Sequence, residues 1–214
     1  MERSRVGIII PAYNESATIE RVVREILPFG VAIVVDDASS DGTGMLAQNA
    51  GALVVRHEAN RGYDAALNSG FARAVEEKLD YVVTMDADGQ HSGELIGQYL
   101  KLLEEGADVV AGVRPQKARV SEKMFALTTR IRYGIHDPLC GMKGYRMSLY
   151  RAAGHFDRYG SVGTELMIFA AKKKFRIVEI SVPVRKRAGG SPRYGSILKA
   201  NWKIFRAMVL GMVR

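Results

Sequence analysis

Short apolar runs that stop abruptly at charged or turn-forming residues recur along this chain, and that punctuation limits the folds open to it. Residues 6–10, 31–35, 81–85 and 108–113 each read as a buried strand. Between them lie stretches with apolar residues at helical spacing, such as Ile19, Val22, Val23 and Ile26. Strand and helix alternate throughout, so a parallel α/β sheet covered on both faces is the economical architecture. Open sheets of this kind bind ligands beyond the carboxyl ends of their strands. Two of those ends carry paired carboxylates here, Asp36 with Asp37 and Asp86 with Asp88.

Ser16 is placed to cap the first helix, which should run through Leu27. A helix over 44–50, a strand over 52–55 and a loop over 60–70 entering another helix precede the strand at 81–85. A helix over 94–105 follows it. Met124, Leu127, Thr128 and Ile131 fit one face of a later helix, and helix 165–174 and strand 176–184 come after. Gly141 and Gly144 interrupt a strand-like segment, which implies tight backbone approach. The chain divides into residues 1–195 and a basic tail, 196–214. There Ile197, Ile204, Phe205, Met208, Val209 and Met212 give an amphipathic helix, either packed on the core or lying in a membrane interface.

With 214 residues, 47% hydrophobic and 25% charged, one well-filled domain is the expectation. The formal net charge of +8 favours anionic partners: nucleotides, phosphorylated substrates, an acidic membrane surface or nucleic acid. Nucleic acid ranks last, because carboxylates closing two strands would repel its phosphates. The single cysteine, Cys140, precludes an internal disulfide and a cysteine-built zinc site, in keeping with a reducing compartment. The first apolar run is short and broken by Pro11 and Asn14, so no secretory signal is read, and no run reaches the ~18 apolar residues of a membrane span. Cytoplasmic residence, peripheral on the cytoplasmic face of a membrane, is the expectation.

The spacing of Asp86 and Asp88 bears on chemistry. In an extended chain both side chains lie on one face, with Gln90 two residues further on. Like charges so close call for a hard divalent cation, and Mg²⁺ or Mn²⁺ complete their shells with substrate phosphates. The other reading of the same residues is an Asp-Gly turn capping a helix that starts near Ser92. A dinucleotide-binding dehydrogenase is disfavoured, since neither Gly7 nor Gly62 begins a G-x-G-x-x-G turn after a strand.

PAYNE at 11–15, VVDDASSDGT at 34–43, NRGYDAALNSG at 60–70, MDADGQH at 85–91 and DPLCGMKGYR at 137–146 stand in one order and spacing. In these the chain resembles the GT-A fold inverting glycosyltransferases of family 2, and within it the polyprenyl phosphate (dolichol phosphate) mannose or glucose synthases. The resemblance implies that Pro11, Tyr13, Glu15 and Asp37 line a base and ribose pocket, and that Asn60 and Gly62 shape the loop over the nucleotide. Asp64 stands where a small residue is expected. Asp86, Asp88 and Gln90 would hold Mg²⁺ or Mn²⁺ against the diphosphate of GDP-mannose or UDP-glucose, and Arg114 would meet phosphate. Arg119, Lys143, Arg187 and Ser191 match positions facing the acceptor phosphate less closely. Glu165 falls near a carboxylate base used for hydroxyl acceptors, or is simply an acid favoured at a helix N-terminus.

The implied activity is inverting transfer of mannose or glucose to a polyprenyl phosphate. An acceptor phosphate with a second pKa of about 6 is already anionic near neutral pH, so no strong base is obligatory. The alternatives are the same fold acting on a saccharide hydroxyl and a non-catalytic nucleotide-sugar or membrane-surface binding module. Many members of this family add transmembrane helices after the catalytic domain. This sequence ends before any, which leaves two expectations: a soluble form, or reliance on a membrane-anchoring subunit as partner.

Overall fold

The computed structural model of the protein describes residues 5–116, 119–183 and 197–213. Its first half is three strand–helix units: β1 (Val6–Ala12) and α1 (Ile19–Ile26), β2 (Val31–Asp36) and α2 (Thr43–Asn49), β3 (Leu53–Arg56) and α3 (Tyr63–Glu76). There follow β4 (Tyr81–Thr84), a 3₁₀ turn (Gly93–Leu95), α4 (Ile96–Glu104), β5 (Val109–Val113) and α5 (Val120–Tyr133). The remainder is β6 (Lys143–Arg146), α6 (Met147–Ala153), α7 (Glu165–Lys172), β7 (Ile177–Ser181) and α8 (Ile197–Val213).

The strands form one sheet in the order β3-β2-β1-β4-β6-β5-β7. It is mostly parallel, as the alternation predicts. The exception is β6, which runs antiparallel between β4 and β5. Asp137, just ahead of β6, is tied to Arg114 at the carboxyl end of β5 although the two are 23 residues apart, so β6 starts near where β5 stops and runs back along it. Side chains alternate across the sheet. Ile8 and Ile10 pack with Val22, Val23 and Ile26 of α1 and Tyr99 of α4, whereas Ile9 and Ile33 pack with Leu67 and Phe71 of α3 and Met167 of α7. Runs apolar on every residue are what a sheet buried on both faces requires.

Ser16 does not cap α1. Its N–H donates to Asp41 Oδ2 at 3.0 Å, and the helix starts later, behind Thr18. On α5 the buried face is Phe125, Ala126 and Thr129, while Met124, Leu127 and Ile131 point to solvent. A third, smaller core cluster joins Phe125 to Ile168 of α7 and to Ile204 and Ala207 of α8. The apolar residues of the tail therefore do not share one face: Ile204, Met208 and Met212 pack inward, and Phe205 and Val209 are exposed.

Candidate functional site

β1 lies between β2 and β4, and the chain leaves it toward β2 first and β4 later. The connections diverge there, which opens a crevice at the carboxyl ends. A cleft of about 740 Å³ occupies that place. Pro11, Tyr13, Glu15, Asp37, Asn60, Gly62, Asp86, Asp88, Gln90, Arg114 and Arg119 all line it, so most of the residues singled out in the sequence converge on one wall system.

Asp37 is held by several donors. Its Oδ1 accepts the Arg61 N–H at 2.8 Å and meets His57 Nδ1 at 2.7 Å, and its Oδ2 accepts the Gly62 N–H at 2.7 Å. A carboxylate only accepts, so His57 carries its proton on Nδ1 and presents Nε2 to Ser69 Oγ at 2.9 Å. Asp37 thus fixes the 60–62 loop on the cleft rim. The neighbouring Asp36 secures the loop after β2, accepting the Ser39 N–H at 2.9 Å.

Asp86 and Asp88 do not continue an extended strand; they sit in a turn after β4, with Gly89 at φ +70°. Both still face the cleft. Thr18 Oγ1 donates to the Ala87 carbonyl at 2.7 Å and pins this turn to the start of α1, and Asp88 Oδ1 accepts the Gln90 N–H at 3.0 Å. A Cβ on Gly141 would lie 2.3 Å from Asp86 Oδ2, so glycine there is what leaves the Asp86 carboxylate its place. Buried His91 stands 3.7 Å from the same oxygen. Among the described residues no group of three or more His, Cys, Asp or Glu forms a cage. Two carboxylates with the Gln90 amide nearby make a hard, oxygen-rich and incomplete donor set, which suits a Mg²⁺ or Mn²⁺ ion sharing its shell with a ligand.

Arg114 lines the same cleft. Its Nε and Nη2 bind the two oxygens of Asp137 at 2.8 and 3.0 Å, and Nη2 also reaches Glu122 at 3.4 Å. Burial works against the guanidinium charge, but the Asp137 hydrogen bonds and charge outweigh it and raise the pKa above its ordinary value. Glu122 binds Arg119 Nη1 at 2.9 Å as well, so one buried carboxylate orients two cations toward the cavity.

Two expected site residues lie elsewhere. Lys143 is buried, and its ammonium donates to the carbonyls of Cys140 at 2.6 Å and Gly163 at 3.2 Å, so it braces two loops and is not offered to an acceptor phosphate. Burial depresses its pKa, with the charges of Cys140, Asp137 and Asp86 acting in the opposite sense. Glu165 does not line the cleft; it accepts from His155 Nε2 at 2.9 Å and from the Arg158 N–H at 2.7 Å. Arg187 and Ser191 lie outside the described residues.

Asp64, the departure from the family pattern, sits in the first turn of α3, where it accepts the Gly163 N–H at 2.7 Å and pairs with Lys203 of α8 at 3.6 Å. Burial and the charge of Asp157 raise its pKa, opposed by Lys203. Lys203 and Ile204 line the cleft, as do Val162 and Leu139. Sequence reasoning missed these four and also Asp137, although Asp137 opens a motif string and was visible there.

Residues 7–154 match the model of glycosyl transferase family 2. The chain is 30% identical over 197 residues to a dolichyl-phosphate hexose transferase of Haloferax volcanii, covering 86% of this chain and 84% of that one. It is 30% identical over 219 residues to an undecaprenyl-phosphate mannosyltransferase of Micrococcus luteus, covering 91% and 89%. Among solved structures, glucosyl-3-phosphoglycerate synthase from Mycobacterium tuberculosis, crystallised with Mn²⁺, UDP and glucosyl-3-phosphoglycerate, superposes with a TM-score of 0.77. The identity is 22%, over 98% of this chain and 79% of that one. The GT-A fold expected from the motif strings is the fold present.

Proposed function

The chain belongs to glycosyl transferase family 2, and we propose that it transfers a hexose, mannose or glucose, from a nucleoside diphosphate sugar to a polyprenyl phosphate with inversion at the anomeric carbon. The observation that carries this reading is that Asp86, Asp88 and Arg114 line one cleft at the switch point of the sheet. The names of the Haloferax and Micrococcus relatives, a dolichyl-phosphate hexose transferase and an undecaprenyl-phosphate mannosyltransferase, support the acceptor class. We assign Pro11, Tyr13, Glu15 and Asp37 to the base and ribose; they line the cleft together with Asn60 and Gly62.

Breaking the bond from sugar to diphosphate builds negative charge on the leaving oxygen. Asp86, Asp88 and Gln90 would hold a divalent cation, which when bound neutralises that charge as a Lewis acid. Arg114, already charged and oriented by Asp137, adds a fixed positive field at the same place, and preorganisation of this kind is worth most in a cleft that excludes water. Arg119, steered by Glu122, is the described cation of the acceptor set that remains on the cleft wall. Glu165 is engaged by His155 and Arg158, which favours an acceptor that needs no general base. The enzyme works peripherally, on the cytoplasmic face of a membrane; no helix among the described residues is long and apolar enough to cross one.

Isothermal titration with GDP-mannose and with UDP-glucose, each with and without Mn²⁺, tests the donor side. Metal-dependent binding of one donor is expected, followed by labelled sugar appearing on a polyprenyl phosphate in detergent. Binding of neither donor, or transfer only to saccharide hydroxyls, would overturn the reading.

A further inference from the structure

Of the twelve large apolar side chains exposed among the described residues, eight lie on just two helices. On α5 they are Val120, Met124, Leu127 and Ile131, and on α8 Trp202, Phe205, Val209 and Val213. Each set follows the three- and four-residue steps of one helix face. The helices are stitched side by side: Ser121 Oγ meets Asn201 Oδ1 at 2.6 Å, and Thr128 Oγ1 meets Met208 Sδ at 3.6 Å. Both pairs are eighty residues apart in sequence, so α5 and α8 run parallel and in register. Their inner faces share one small core, Phe125 with Ile204 and Ala207, which turns both outer stripes to the same side. Over about twelve residues each stripe extends about 18 Å. Apolar surface gathered this way marks a contact with something.

The charges around it say with what. α5 and α8 carry Lys123, Arg130, Arg132, Lys199, Lys203 and Arg206. The only acid on either helix is Glu122, which is buried and paired with Arg114 and Arg119. An apolar face rimmed by cations matches an anionic lipid leaflet. We infer that α5 and α8 together form one docking face for an anionic membrane surface, and that neither helix alone makes it. The inference rests on the lipid-acceptor reading for its direction: Arg119 and Glu122 at the head of α5, and Lys203 and Ile204 on α8, also line the cleft. Seating the two stripes in the leaflet brings the cleft wall to the level of the lipid phosphates.

The protein carries its own reporter, because its single tryptophan is Trp202, on the α8 stripe. Vesicles of phosphatidylcholine with phosphatidylglycerol are expected to shift Trp202 emission to the blue and to float the protein at low salt, and vesicles of phosphatidylcholine alone to do neither. L127E/I131E, altering only α5, is expected to weaken vesicle binding about tenfold. M45E, at an exposed methionine outside the patch, is expected to leave it unchanged. An unshifted Trp202, or α5 variants that bind as well as the parent, would overturn the shared face. Emission already blue-shifted without lipid, together with a doubled mass in light scattering, would assign the face to a second copy instead. Docking is read without donor or acceptor. Failure of the acceptor reading would therefore show separately, as intact docking with no transfer to a short-chain polyprenyl phosphate in detergent.

Discussion

The carboxylate of Glu165 takes donors on both oxygens, His155 and the Arg158 guanidinium on one and the Arg158 N–H on the other. It is thereby a brace for the 155–158 loop at the start of α7. If so, Glu165→Gln removes charge-assisted bonds and leaves an amide N–H₂ facing other donors. We expect a stability loss of about 1–3 kcal/mol in urea unfolding, with kcat for a polyprenyl phosphate acceptor within about threefold of the parent. A general base would instead lose roughly 10²–10⁴ in turnover, so a drop of that size assigns Glu165 to catalysis and a hydroxyl acceptor. The same distinction between a residue that touches substrate and one that braces applies to Lys143, whose ammonium is bonded to carbonyls of its surroundings.

Among the elements, the β2–α2 connection holds the donor side together through Asp41. Its Oδ1 accepts from the Thr43 N–H and hydroxyl at 3.1 and 2.5 Å, and its Oδ2 from the Ser16 N–H at 3.0 Å, so it ties the loop after β2 to the loop after β1. Partial burial alone would raise its pKa, but these bonds outweigh burial and lower it from 3.8 to about 2. A carboxylate whose folded pKa is depressed contributes stability above its unfolded pKa and loses it as pH falls through the folded one. The native protein should therefore lose stability between about pH 4 and pH 2 through this group, and Asp41→Asn should flatten that limb in urea unfolding; an unchanged limb would remove Asp41 from the account. The strand ends were legible because the signal is local: an apolar run stopping at Asp36 or Asp86 marks a sheet edge whatever surrounds it. The turn at Asp86, the reversed β6 and the seat of α8 were not, because each is set by distant partners: Thr18 with Gly141, Arg114 with Asp137, and Phe125 with Ile204. On α8 periodicity alone could not tell which of two apolar faces meets the domain.

At the scale of the molecule, the cleft joins two unlike halves. The walls from β1, β2 and β4 fall within the stretch matched by the family model, and their residues were readable as motifs. Val162, Lys203 and Ile204 come from beyond it and line the same cleft. Donor binding, on this account, belongs to the first half and requires both carboxylates, while the folded domain does not depend on them. A ligand at about a hundred times its Kd adds about 2.7 kcal/mol to the folded state. For a chain of this length that raises Tm by roughly 5–10 °C. GDP or UDP with Mn²⁺ should produce that rise in a thermal melt, and EDTA should remove it. Asp88→Ala removes a buried carboxylate that accepts the Gln90 N–H, so it should lower the unliganded Tm by a few degrees yet leave a cooperative melt, and it should abolish the increment because one of the two carboxylate donors is gone. Retention of the full increment by Asp88→Ala would mean that nucleotide binds without this carboxylate. The metal assignment at Asp86 and Asp88 would then fall, while the family and the fold stood.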